Sequence, residues 1–205
     1  MAKLVLASGS PRRRQLLADL GVTYDVQAAD IDETLQPDEK PLTAARRLAL
    51  AKATAVAAEG LTVIGADTLV VLDGAPLGKP KDADEARSML LRLRNRPHEV
   101  VTGVAVVVDA SRSFQAHATT GVVMRPYTDG DIDAYIASGE PFDKAGAYAV
   151  QDPTFKPVRQ WNGCYCNIVG LPLALTGGLL LQAAYPLQPV AKPKQCDGCI
   201  AWDRR

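Results

Sequence analysis

Apolar and polar positions along this chain switch repeatedly between two periods. Lys3 to Ala7 (KLVLA) is a short apolar run that reads as a buried strand and ends in Ser8-Gly9-Ser10-Pro11. Ser10 suits a helix N-cap and Pro11 the first helical position, so a helix is predicted to about Leu20, with Gly21 as its stop. Val22 to Ala28 reads as a second strand, and the acidic, proline-bearing stretch Asp30 to Lys40 as a loop. Leu42 to Glu59 is rich in Ala, Leu, Arg and Lys and predicts a long helix ending at Gly60.

Strand character then dominates. Leu61 to Ala66 runs into Asp67-Thr68, continues extended through Leu69 to Leu72, and meets a hairpin-type Asp73-Gly74. Asp82 with Glu85 fits a capping box that opens a helix to about Arg94. Glu99 to Asp109 and Phe114 to Met124 read as paired strands across Ser111-Arg112. A short helix is predicted over Asp129 to Ser138, strands over Ala145 to Val150 and Cys164 to Val169, and a last helix over Pro172 to Ala184. No internal repeat is visible. Alternating strands and helices, with both hairpins and crossovers, predict an α/β class with a mixed sheet.

Composition narrows the function. The 205 residues are 47% hydrophobic and 22% charged with zero net charge, as expected of a globular protein with a real core. A neutral chain exerts no global pull on nucleic acid or acidic membranes, which leaves small anions held by local basic clusters. The N-terminus runs from apolar to basic, the reverse of a secretory signal, and no apolar run is long enough to span a bilayer, so the protein reads as cytoplasmic.

Five constellations carry candidate chemistry. Ser8-Gly9-Ser10-Pro11-Arg12-Arg13 lies between a strand and a helix, where free N–H groups at the helix start and two arginines could hold phosphate oxygens. Cations there oppose the helix dipole, a cost that a bound anion would offset; a capped helix with a solvated basic turn is the competing reading. Gly65-Ala66-Asp67-Thr68 places a carboxylate at a strand end, where it could hold a metal or take a proton from water, or simply form a turn. Ile31-Asp32-Glu33 is an acidic loop, either solvated or able to supply a magnesium ligand through Glu33. Lys52, Lys79 and Lys144 are possible point charges for phosphate, the last two in Gly- or Pro-framed loops. Gln151 offers a donor and an acceptor, as reading a base edge requires. Walker A, GxGxxG and HExxH motifs are absent, and His98 and His117 lie in valine-rich surroundings that do not suit a Ser-His-Asp triad.

Together these blocks resemble the Maf family. Ser8 to Arg13, Gly65 to Thr68, Gly78-Lys79-Pro80, Thr102-Gly103, Gly139 to Tyr148 and Val169-Gly170-Leu171-Pro172 stand in Maf order, over about Lys3 to Leu180. The resemblance implies a mixed twisted sheet with flanking helices, two lobes around a cleft, similar to the inosine triphosphatases (Ham1). It implies hydrolysis of nucleoside triphosphates to monophosphate and pyrophosphate with a divalent cation, Mg²⁺ or Mn²⁺ and in some cases Co²⁺. It makes Asp67 catalytic, Glu33 and Asp67 metal-linked, and Ser8, Ser10, Arg12, Arg13, Lys52, Thr68, Lys79, Lys144 and Gln151 substrate-binding. Arg12, Thr68 and Gln151 look like the subgroup that prefers dTTP and UTP. It also implies a homodimer, with no nucleic-acid polymer and no membrane as partner. A nucleotide-sensing regulator tied to cell division is the alternative, and the intact acidic pair Glu33 and Asp67 speaks against it. Where family members often follow the glutamine with glycine, this chain has Asp152-Pro153.

The expected organisation is a Maf-like domain over 1–184 and a cysteine-bearing tail over 185–205. Cys164-Tyr165-Cys166 and Cys196-Asp197-Gly198-Cys199 supply four thiols, enough for a structural zinc, but the first pair is spaced too closely for the usual pattern. The competing expectation is two buried strand cysteines and an exposed tail pair.

Overall fold

The opening strand sets the frame. In the computed structural model, which describes residues 2–188, 191–196 and 199, β1 (Lys3–Leu6) pairs in parallel with β2 (Asp25–Val26) and with β3 (Leu61–Leu72). Leu4, Val5 and Leu6 are all buried, which is what a strand covered on both faces requires. The pleat divides them: Leu4 and Leu6 enter one core with Leu16, Leu17, Leu20, Leu173 and Leu180, while Val5 and Ala7 enter another with Ala49, Ala53, Val56 and Val63.

Seven strands pair in the order β2-β1-β3-β5-β6-β7, with β4 paired to β3, where β4 is Ala75–Leu77, β5 Pro97–Val108, β6 Arg112–Met124 and β7 Val158–Asn162. Parallel and antiparallel pairs both occur, so the predicted mixed α/β class holds. The chain forms two compact units. One comprises residues 1–68, 101–118 and 164–205; the other comprises 69–100 and 119–163.

In the first unit, α1 (Pro11–Ala18) begins at Ser10, whose Oγ accepts the Arg13 N–H, as the sequence predicts. The long helix is α2 (Pro41–Val56). Ala44, Ala45, Leu48, Ala49, Lys52, Ala53 and Val56 form its buried face. This face is made of small residues for a steric reason. A Cβ on Gly65 would lie 2.1 Å from the Ala49 carbonyl oxygen, and one on Gly103 would lie 2.3 Å from that of Ala45. Backbone therefore packs on backbone, and α2 stands close enough to β3 for Lys52 to reach it. Five-residue α5 (Tyr165–Val169) and α6 (Leu173–Gln182) complete this unit.

In the second unit, Asp73 (φ 52°) and Gly74 (φ 79°) make the two-residue turn between β3 and β4 that the sequence indicates. α3 (Ala83–Leu93) is capped by Asp82, whose carboxylate accepts the Glu85 N–H; Glu85 reaches back to the Lys81 N–H instead of completing a capping box. The full box occurs at α4 (Asp129–Ala137), between Thr128 and Asp131.

Three expectations need correction. Ala145 to Val150 is not a strand: Ala145–Ala147 is a 3₁₀ turn with Gly146 at φ 69°. Cys164 to Val169 is not a strand either but contains α5, closed by Gly170 at φ 119°; the left-handed glycine was the stop signal that the valine and isoleucine outweighed. The strand β7 was missed because its sequence, VRQWN, is polar and largely exposed.

Candidate active site

Asp67 lies inside β3, which holds its backbone, and its side chain is buried. Its Oδ1 accepts a hydrogen bond from Lys52 Nζ at 2.7 Å, and its buried Oδ2 has no hydrogen-bond partner among the described residues. The Lys52 ammonium, buried on α2, also stands 3.0 Å from Glu33 Oε1. One cation thus joins both acidic residues that the sequence reading assigned to a metal. A buried carboxylate is costly unless paired and hydrogen-bonded. Lys52 satisfies one oxygen and leaves the other available.

Arg13, half-buried, sits beside this group. Its Nε donates to the Gly170 carbonyl at 2.8 Å, Nη1 to Ser8 Oγ at 3.2 Å and Nη2 to Thr68 Oγ1 at 3.1 Å. Burial pulls the guanidinium below its ordinary pKa, and the nearby negative charges of Asp67 and Glu33 pull it back up. Gly170 brings its carbonyl to this fork from a backbone conformation that a side chain would strain, at φ 119°.

Ser8, buried, accepts from the Ser10 N–H at 3.3 Å as well as from Arg13. Ser10 is engaged as the cap of α1. Arg12 is half-buried in the first turn of α1. The first unit therefore contains eight of the predicted residues: Ser8, Ser10, Arg12, Arg13, Glu33, Lys52, Asp67 and Thr68.

The second unit carries Lys79, Lys144 and Gln151. Lys79 is exposed, and its loop is tied to the Lys144 loop by the Gly146 N–H donating to the Gly78 carbonyl at 2.9 Å. Lys144 is buried and already paired, with Glu140 Oε2 at 3.0 Å and Asp143 Oδ1 at 2.6 Å. Gln151 is exposed, and the following Asp152 folds its own loop by accepting the N–H groups of Thr154 and Phe155.

Thr102 stands in the Thr102-Gly103 block of the resemblance without a role assigned to it, and Asn167 in no block at all. Thr102 is fully buried, and its hydroxyl lies 2.9 Å from Thr68 Oγ1 and donates to the Asn167 carbonyl at 3.0 Å. The sequence signal for Thr102 is its place in that block, a threonine inside a valine-rich strand beside Gly103.

No disulfide joins Cys164, Cys166, Cys196 and Cys199. Cys196 and Cys199 are buried in the core of the first unit, so the tail pair is not exposed, and Cys166 Sγ lies 3.6 Å from Cys196 Sγ. Among the described residues no group of three or more His, Cys, Asp or Glu is arranged to hold a metal ion.

The profile of a family described as Maf-like protein matches residues 3–183. The chain belongs to the Maf family. A dTTP/UTP pyrophosphatase of Thermomicrobium roseum is 52% identical over 202 residues, covering 96% of this chain and 92% of that protein. A dTTP/UTP pyrophosphatase of Moorella thermoacetica is 51% identical over 185 residues, covering 88% and 94%. Among solved structures, a HAM1 protein from Coxiella burnetii aligns with a TM-score of 0.46 and 21% identity, over 76% of this chain and 90% of that one. The Maf match thus spans both compact units and every predicted site residue.

Proposed function

We propose that this Maf protein hydrolyses nucleoside triphosphates to monophosphate and pyrophosphate, with dTTP and UTP as its preferred substrates. The observation that carries the reading is the buried Asp67 with one oxygen bonded to Lys52 and the other unpartnered. An unpaired buried carboxylate oxygen costs free energy, and it is retained where a reaction or a ligand uses it.

Asp67 Oδ2 takes a proton from the attacking water. The water oxygen bonds to the α-phosphorus, the bond from that phosphorus to the α–β bridging oxygen breaks, and pyrophosphate leaves with that oxygen. Arg12, Arg13 and the start of α1 hold phosphate oxygens, and Lys52 fixes the orientation of Asp67. Lys79 and Gln151 serve the phosphates and the base.

The donor set suits a hard divalent cation. Asp67 and Glu33 offer oxygen only, and magnesium commonly takes one or two carboxylates and completes its shell with water and substrate phosphates. Mg²⁺ or Mn²⁺ would be held by Glu33 and Asp67, and when bound would neutralise charge on the phosphates. The protein acts as a cytoplasmic homodimer in this reading. Among the described residues no helix is long and apolar enough to cross a membrane.

The test is incubation of the purified protein with Mg²⁺ or Mn²⁺ and dTTP, UTP, CTP, dATP, GTP and 7-methyl-GTP, with pyrophosphate and monophosphate measured. Release chiefly from dTTP and UTP is expected. Binding without cleavage of any of them would contradict the enzyme reading.

A further inference from the structure

Hydrogen-bond direction can be read along a short chain of hydroxyls next to Asp67. The Asn167 carbonyl can only accept, so Thr102 spends its single hydroxyl hydrogen there, at 3.0 Å. Thr102 must then accept in its 2.9 Å contact with Thr68, which makes Thr68 the donor. Arg13 Nη2 can only donate, so Thr68 accepts from it at 3.1 Å. The order is fixed throughout: Arg13 to Thr68, Thr68 to Thr102, Thr102 to Asn167.

Burial makes this order hard to reverse. Thr102 and Asn167 are fully buried, where a lost hydrogen bond is costly. Thr68 is only partly buried. Its hydrogen is committed inward and one of its lone pairs is used by Arg13, so what it can offer to a bound molecule is its second lone pair.

We infer that Thr102 is a positioning residue that holds Thr68 as a hydrogen-bond acceptor, so that Thr68 meets a donor group on the nucleotide and not a phosphate oxygen. Phosphate oxygens at neutral pH present acceptors, which a hydroxyl without a free hydrogen cannot satisfy. Donors on a pyrimidine nucleotide are the ring imide N–H of uracil or thymine, the exocyclic amine of cytosine, and a sugar hydroxyl; the ring imide is the one that uracil and thymine have and cytosine lacks. Cytosine carries an acceptor at the ring position where uracil carries the imide N–H. An acceptor fixed by buried neighbours discriminates between the two, because the wrong base leaves two lone pairs facing each other. The inference rests on the pyrophosphatase reading and deepens it.

The experiment compares wild type, Thr102→Val and Thr102→Ser on dUTP, dCTP and 2′,3′-dideoxy-UTP with Mg²⁺, with thermal melting of each variant recorded. Valine keeps the shape but removes the acceptor, which frees the Thr68 hydrogen. The expected result for Thr102→Val is a fall in kcat/KM on dUTP of roughly tenfold, with dCTP changed by less than about threefold. Thr102→Ser, which keeps the hydroxyl, should restore the wild-type dUTP to dCTP ratio. If dUTP and dCTP fall together while the dideoxy substrate is unaffected, the donor is the sugar hydroxyl and the acceptor role stands.

Equal loss on all three substrates, or Thr102→Ser behaving as Thr102→Val, would reduce Thr102 to a packing residue and overturn the inference. So would unchanged kinetics in Thr102→Val. A wild type that cleaves nothing would instead contradict the pyrophosphatase reading. The same comparison then runs on equilibrium binding of the α,β-methylene analogues of dUTP and dCTP, where an unaltered ratio in Thr102→Val, or no binding at all, overturns the inference.

Discussion

Lys52 Nζ stands 2.7 Å from Asp67 Oδ1, and both side chains are buried. The pair is held by packing as much as by charge. Helix α2 approaches β3 so closely at Gly65 that the ammonium reaches the carboxylate from its own helix face. Removing one partner leaves the other as an uncompensated buried charge. Lys52→Met is expected to destabilise the fold by about 3–5 kcal/mol, whereas the double variant Lys52→Met with Asp67→Asn should recover much of that loss. Urea denaturation of the three variants at neutral pH measures the coupling. Additive losses would show that the contact contributes little.

The close approach of α2 makes its own prediction. Gly65→Ala forces a Cβ against the Ala49 carbonyl, which is backbone and cannot rotate away, so a loss of about 2 kcal/mol or more is expected. Gly121→Ala meets nothing within 4 Å at an ordinary backbone angle and should change stability by less than about 0.5 kcal/mol. Thermal melting of the two variants makes the comparison, and similar Tm values for both would contradict the packing account.

Acid should weaken the second unit through one histidine. His98 is buried, bonded through Nε2 to the Tyr148 hydroxyl at 2.7 Å, and burial lowers its pKa from 6.5 to about 4. The folded state therefore binds the proton more weakly than the unfolded state. The penalty is absent above about pH 6.5, grows as pH falls, and is complete below about pH 4, where it reaches about 3 kcal/mol. In His98→Gln that share of the pH dependence should vanish. Chemical denaturation between pH 7 and pH 4 checks it, and parallel curves for the two proteins would refute it.

Gln151 is exposed just before the Asp152 turn, and the proposed function gives it the base. Gln151→Ala should lower kcat/KM for dTTP and UTP by about 1–3 kcal/mol of discrimination relative to purine triphosphates, with the fold unchanged. Equal loss on every nucleotide would remove the base-reading role.

Much of this could be read along the chain because local signals and tertiary context agree. Ser10-Pro11, Asp73-Gly74 and Asp82 each set a cap or turn that the structure contains. Asp67, Glu33 and Lys52 each stand out by residue type, and only the resemblance to the Maf family joins them, since their spacing in sequence says nothing of their meeting. What was not legible depends on tertiary contact. The ion pairs of Lys144 with Glu140 and Asp143 are one case, since nothing in the sequence says that this lysine turns back on its own loop. The Thr68, Thr102 and Asn167 chain joins β3, β5 and α5, and no local pattern marks a buried threonine as a hydrogen-bond relay. Cys164 to Val169 misled because a β-branched, apolar composition was weighed above the helix-ending Gly170.

The most direct measurement is turnover of Asp67→Asn on dTTP with Mg²⁺, alongside its melting curve. Asparagine keeps the shape and cannot take the proton. The account predicts a fall in kcat on the order of a hundredfold or more in a protein that still folds. Asp67→Asn turning over within about threefold of wild type would contradict it, because an acid–base residue should contribute far more than that.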